Sequence, residues 1–95
     1  MNKSGPLTEP VAIAAVNQYF DDLIALADPG AVLPHLRAEL EDYRARTLKD
    51  PCLMEQLNYL RGFLSGLTAA GIQTFEQAEE LKLRLERGHD SRWLP

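Results

Sequence analysis

Few residues in this chain could do chemistry, and their spacing limits what that chemistry could be. Nucleophilic catalysis needs a thiol or hydroxyl beside a base. The chain has one cysteine, Cys52, and two histidines, His35 and His89, each alone in its segment. Cys52 falls in the first turn of a helix expected from residue 51, a placement that activates thiols. With no base beside it in sequence, it reads as structural rather than reactive. Metal ligation needs His, Cys or carboxylates at ligand spacing, and neither HxxxH nor CxxC occurs. Asp21 and Asp22 are adjacent, but neighbouring helical side chains diverge by about 100° and do not converge on one ion. The run Gly62-Phe63-Leu64-Ser65-Gly66 lacks the Lys-Ser/Thr that completes a phosphate loop. The expectation is a chain with no catalytic residue, no cofactor and no metal site, and so not an enzyme.

Composition narrows the class. The chain is 45% hydrophobic and 25% charged, which suits a globular domain and is too apolar for disorder. Leu and Ala dominate the apolar set, a mix that favours helix over sheet. The net charge of −4 argues against nucleic acid as the partner. The acid is concentrated early, where Lys3 stands against Glu9, Asp21, Asp22 and Asp28. A single cysteine excludes an intrachain disulfide. No apolar run approaches the roughly 18–20 residues of a membrane span. Met1-Asn2-Lys3 is not followed by a leucine-rich stretch with a cleavage site, so the expected location is cytoplasmic. A 95-residue chain suits one domain, with a thin stability margin that dimerisation would widen.

The elements that must position these residues are four expected helices, at about 9–27, 34–47, 51–70 and 74–87. Thr8 is the expected cap of the first, with Glu9 and Pro10 in its opening turn. Ile13, Val16, Phe20, Leu23 and Ala27 recur at three and four, and Ala12, Tyr19 and Ile24 widen the stripe. Asp28-Pro29-Gly30 ends it. Pro34 opens the second helix, whose stripe of Leu36, Leu40 and Tyr43 is thin; Arg37–Glu41, Asp42–Arg46 and Glu41–Arg44 are expected surface pairs. Asp50-Pro51 reads as a start signal for the third, with Leu53, Leu57, Leu60, Leu64 and Leu67 as spine, joined by Met54 and Phe63, and Gly71 as stop. Thr74 and Gln77 fit a capping box for the fourth, with Phe75, Ala78, Leu81 and Leu85 on one face and Gly88 as stop. Residues 1–7 form a frayed lead, 8–88 one helical domain, and 89–95 an irregular tail. The fold class is all-α, a small bundle of three to four helices.

With no chemistry, the candidates are binding surfaces. Tyr19, Asp21 and Asp22 on the acidic first helix, and Trp93 in the tail, are candidate partner-binding residues. Trp93 either docks on the core, the favoured reading, or anchors a partner. Gly62, Gly66 and Ala70 fall at i, i+4, i+8 and permit close approach of a helix. That helix is expected from the same chain, with self-association into a homodimer as the alternative. Ala70–Thr74 also has the length of a helix-turn-helix turn, but Glu76, Glu79 and Glu80 would face phosphates.

From Leu64 to Leu85 the chain resembles the short helical-hairpin module called SHOCT. Gly71, Ile72, Thr74, Lys82 and Leu85 match its pattern of leucine-rich helix, Gly-Ile-Ile-Thr turn and acidic helix, while Gln73, Gln77 and Ala78 depart from it. The resemblance covers about a quarter of the chain and implies an oligomerisation or binding element. In size, acidity and helicity the chain is also similar to small inhibitors of phages and mobile elements, such as anti-CRISPR proteins and quorum-sensing antiactivators. The functional expectation is a non-catalytic protein-binding module, an inhibitor or adaptor that uses an acidic helical surface on another protein. The alternatives are a transcription-related accessory factor acting through the 51–87 hairpin, and a self-associating structural subunit.

Overall fold

The computed structural model describes residues 5–95. Four helices follow one another, α1 (Pro10–Ala27), α2 (Pro34–Lys49), α3 (Met54–Ala69) and α4 (Phe75–Ser91), with no strand among the described residues. Short connections reverse the chain each time. α1 packs on α2, α2 on α3, α3 on α4, and α4 back on α1, closing an up-down-up-down four-helix bundle of 42 × 22 × 21 Å. The 28–33 and 70–74 connections therefore share one end of the bundle. Residues 5–9, the 50–53 connection and the tail share the other. Among the described residues no helix is long and apolar enough to cross a membrane.

The core follows the three-and-four spacing. Val16, Tyr19, Phe20 and Leu23 of α1, Leu40 of α2, and Leu60 and Leu64 of α3 are fully enclosed. Leu81 and Leu85 complete it from α4. The thin stripe of α2 buries only Leu40 and Thr47. Polar bonds make up part of the difference: Thr47 Oγ1 and Gln56 Nε2 both donate to the Tyr43 carbonyl, at 2.8 and 3.3 Å. The Tyr43 ring also meets Phe63 of α3 edge-on at 5.7 Å.

Several helix ends differ from expectation. Glu9, not Thr8, occupies the cap position of α1 and makes no side-chain bond; Thr8 is exposed. Part of the expected lead is docked, since Leu7 is buried and its N–H donates to the Leu48 carbonyl at 2.9 Å. Residues 1–4 of that lead, with Lys3, lie outside the described residues. α3 begins at Met54 rather than residue 51. Asp50 closes α2 through its N–H on the Arg46 carbonyl, and its carboxylate accepts the Cys52 N–H at 3.3 Å. Pro51 and Cys52 form a turn, so Cys52 lies outside any helix. Leu53 and Met54, expected in the α3 spine, are exposed beside that turn. Of the expected pairs, Asp42–Arg46 and Glu41–Arg44 form at 2.9 Å each, whereas Arg37 turns back to Asp28.

α3 ends on Gly71 as its sequence predicts. Gly71 has φ +78, the Ile72 N–H donates to the Leu67 carbonyl at 2.9 Å and the Gly71 N–H to Thr68 at 3.0 Å. The capping box of α4 is complete: the Gln77 N–H donates to Thr74 Oγ1 at 3.1 Å, and the Thr74 N–H to Gln77 Oε1 at 2.8 Å.

The far end of α4 departs most. Gly88 does not stop the helix, which runs to Ser91, so the expected tail begins as helix. The closing bonds run from the Trp93 N–H to the Gly88 carbonyl at 2.6 Å and from the Arg92 N–H to His89 at 3.5 Å. Here the left-handed positions are Arg92 (φ 54) and Trp93 (φ 64), with no glycine to ease them. That conformation costs roughly 1–2 kcal/mol per residue. Burial of Trp93 offsets it. Trp93 is 7% exposed and its ring lies 5.4 Å from that of Tyr19; an indole of about 200 Å² at about 25 cal/mol per Å² contributes up to roughly 5 kcal/mol. The tail tryptophan therefore docks on the core. Gly88 makes room for it, since a Cβ there would stand 2.5 Å from the indole.

Two substitutions check this packing. Trp93→Ala is expected to cost about 3–5 kcal/mol in urea denaturation. Gly88→Ala is expected to cost about 1–3 kcal/mol, although helix propensity alone favours alanine by about 1 kcal/mol. In the Trp93→Ala background the same Gly88→Ala change should become neutral or stabilising. A stabilising Gly88→Ala in the wild-type background would overturn the assignment.

Candidate functional site

Tyr19 and Trp93 are both core residues. Tyr19 is fully enclosed, and its hydroxyl donates to the Leu81 carbonyl at 2.9 Å. Asp21 and Asp22 do reach the surface, but both are engaged within the fold. Asp21 pairs with Arg44 of α2 at 2.8 Å, and Asp22 with Arg84 of α4 at 3.0 Å. Arg44 is a junction. Its Nε meets Glu41 at 2.9 Å, one terminal nitrogen donates to the Asn17 side chain and carbonyl at 3.0 and 3.2 Å, and the guanidinium lies 5.9 Å from the Phe20 ring centre. Burial works against its charge, but the carboxylates of Asp21 and Glu41 outweigh that and raise its pKa. The acidic first helix is thus neutralised by its own neighbours.

Gly62, Gly66 and Ala70 lie together on the outer side of α3 and are exposed. No atom of a neighbouring element comes within 4 Å of a Cβ built at either glycine, so the expected close packing against a helix of this chain is not made. α4 meets α3 on another side instead, through Arg61–Glu86 at 2.9 Å and Lys82–Ser65 at 3.1 Å.

Cys52 and His89 come together, but not as a nucleophile and its base. His89 Nε2 is 3.1 Å from the Cys52 carbonyl oxygen, so that nitrogen carries the proton and is turned to the backbone rather than the sulfur. The Cys52 sulfur accepts from Arg92 at 3.4 Å. These contacts clamp the 50–53 turn to the end of α4. His35 is exposed at the start of α2. Among the described residues no group of three or more His, Cys, Asp or Glu side chains is placed to share an ion.

The surface that does stand out is one that spacing alone did not identify. At the end shared by the 28–33 and 70–74 connections, Val32 is 71% and Phe75 67% exposed, with Leu33 and Ile72 also open. Phe75 falls on the α4 stripe by spacing, but as the first residue of the helix it sits beyond the cover of the core. Glu76 beside it has no ion-pair partner among the described residues, and Glu79 reaches Lys82 only at 3.9 Å.

Both turns at this end are pinned. Asp28 is buried, and its two carboxylate oxygens accept the Val32 and Leu33 N–H groups at 3.0 Å each. Burial alone would raise this carboxyl; the two backbone bonds, with Arg37 at 3.7 Å, outweigh that and hold it below the usual carboxylate range. On the other turn, Gln73 Nε2 donates to the Leu64 carbonyl at 2.8 Å and to Thr68 Oγ1 at 3.3 Å, and the capping box holds Thr74. The four apolar side chains are therefore presented on ordered backbone. No protein-family model, curated protein or solved structure matches the chain.

Because the folded pKa of Asp28 lies below its ordinary value of about 3.9, its contribution is complete above that value and is lost as pH falls through the folded pKa. Asp28→Ala should lower the melting temperature at neutral pH. The gap from wild type should narrow as pH is taken from about 5 to about 2. Circular dichroism melts over that range check this, and a gap independent of pH would contradict the assigned role.

Proposed function

We propose that this chain is a non-catalytic protein-binding module, a small inhibitor or adaptor, that docks through the apolar and acidic end of its bundle. The observation that carries the reading is Phe75, an aromatic side chain left open on a capped, pinned turn. Rigid aromatic anchors give the most binding energy for the least ordering cost. Val32, Leu33 and Ile72 extend the apolar area, and Glu76 and Glu79 supply an acidic edge. A matching partner has an apolar pocket edged by Lys or Arg, the kind of basic surface that in other settings holds nucleic acid. The resemblance to SHOCT hairpins points the same way, since Ile72 and Thr74 lie in the matched turn. It replaces the acidic face of α1 as the docking surface, because Asp21 and Asp22 are already paired.

The test is capture from native host extract by the tagged chain, run beside Phe75→Ala and Glu76→Lys. A true partner is retained by wild type and lost with Phe75→Ala. In direct titration its affinity falls about 30-fold, the effect of a hot spot worth about 2 kcal/mol. Glu76→Lys and added salt weaken binding more modestly. Phe75 is open, so the melting temperature stays at the wild-type value. Equal capture by Phe75→Ala, or recovery of DNA without protein, would refute the reading.

A further inference from the structure

The outer face shared by α1 and α4 carries two grooves that meet at Arg84. The larger, about 660 Å³, is lined by Val11, Ala14, Leu94 and Arg87, among others. The smaller, about 250 Å³, lies between Leu26 and Glu80, nearer the Phe75 end. Val11 is 55% exposed and Ala14 is open as well. Arg87 and Glu80 are both exposed, and neither has an ion-pair partner among the described residues. One end of the face is thus apolar with a free cation. The other sets the exposed Glu80 carboxylate, which has no ion-pair partner among the described residues, beside the half-buried Leu26 in a largely polar groove.

The two ends are spaced alike about the middle. Arg87 and Glu80 lie about one helical turn to either side of Arg84, and Val11 and Leu26 about two turns to either side of Gln18. Gln18 and Arg84 are joined through Asp22, which accepts from Gln18 Nε2 at 2.7 Å and pairs with Arg84 at 3.0 Å. A two-fold axis through this level, perpendicular to the antiparallel helices, turns one end of the face onto the other end of a second copy. Arg87 then meets Glu80 of the second copy, Val11 meets its Leu26, and the reverse pairs form at once. Near the axis Arg84 faces its own image, but each is already neutralised by Asp22. Ala14 and Ala15 leave room for close approach.

We infer that this face binds a second copy of the chain, as an antiparallel two-fold dimer seated on α1 and α4. A two-fold contact must be self-complementary, and the Arg87/Glu80 pair satisfies that condition. The Gly62–Gly66–Ala70 stripe has no charge to orient a partner. Helices of 18 and 17 residues are about 26 Å long. Side by side they offer on the order of 500 Å² in projection, below the roughly 800 Å² per partner of a standard interface. The dimer is therefore weak and depends on its charge pairs.

Sedimentation equilibrium of the full chain at low salt, carried to high micromolar concentration, tests this. Wild type is expected to fit a monomer–dimer equilibrium weakened by salt. Arg87→Glu should weaken it about tenfold or more, since two like-charge contacts replace two attractive ones. Arg87→Glu combined with Glu80→Arg should restore it to within about threefold of wild type, because the swapped pair is again complementary. Ala14→Arg should abolish it. All three positions are exposed, so helicity and melting temperature report intact folding. Phe75→Ala should leave the equilibrium unchanged, which separates this face from the proposed docking end. A monomer at every concentration, a dimer indifferent to Arg87→Glu, or no rescue by the charge swap would overturn the inference.

Discussion

The Tyr19 ring is fully enclosed, and its hydroxyl is satisfied inside the protein by donating to the Leu81 carbonyl. Burial pushes the phenol well above its ordinary pKa, with Arg84 opposing only in part, so the group stays a donor. Around that ring the bundle closes. Phe20 stacks edge-on at 5.3 Å, Trp93 leans in at 5.4 Å, and the Arg84 guanidinium covers it at 5.2 Å. α1, α4 and the tail meet at this one side chain. Because Trp93 must reach it, Arg92 and Trp93 accept left-handed backbone, and Gly88 must lack a Cβ. The end of the chain is shaped by what it covers rather than by its own propensity.

The same closure decides which charges remain for binding. Arg84 is drawn over Tyr19 and takes Asp22 with it; Arg44, lying against Phe20, takes Asp21 and Glu41. In a core this small, long cationic side chains cover aromatic surface with their stems and guanidinium planes. The acids that neutralise them are then lost as a docking surface. Among the charges left over are Glu76 beside Phe75, and Glu80 and Arg87 along the α1–α4 face. Val32, Leu33, Ile72 and Phe75 stay open because turns and first helical residues extend past the reach of neighbouring helices.

Helix existence was legible because Val16, Phe20, Leu23 and Leu57, Leu60, Leu64, Leu67 repeat at helical spacing, and the Thr74–Gln77 box and Gly71 stop are local chemistry. Spacing places Tyr19 on the α1 stripe, yet the sequence also makes it a candidate partner-binding residue, and only the packed structure shows that its ring is fully enclosed. Ends that depend on tertiary contact were not. Asp50 before Pro51 is compatible with closing one helix or opening the next, and only the packing of Leu48 and Leu57 chooses. Gly88 looks like a stop unless the position of Trp93 is known. The ion pairs of Asp21 and Asp22 depend on the register between helices, which no single helix encodes. The openness of Phe75 depends on where its neighbours end.

The proposed docking end and the inferred dimer face are different surfaces, and their relative placement has a consequence. In an antiparallel two-fold arrangement the two Phe75 ends point in opposite directions along the bundle. One dimer would then present two identical sites that cannot both reach a single small partner. It could bridge two partners, or two copies of a site in a larger assembly, and gain apparent affinity only where the spacing lets both ends engage. A weak dimer couples these events. A target that engages both ends at once would stabilise the dimer, whereas separate partners that bind monomer and dimer alike would not shift it, and dilution would return monovalent binders. On this reading an adaptor and an inhibitor differ less in the chain itself than in its concentration and in how its target sites are arrayed.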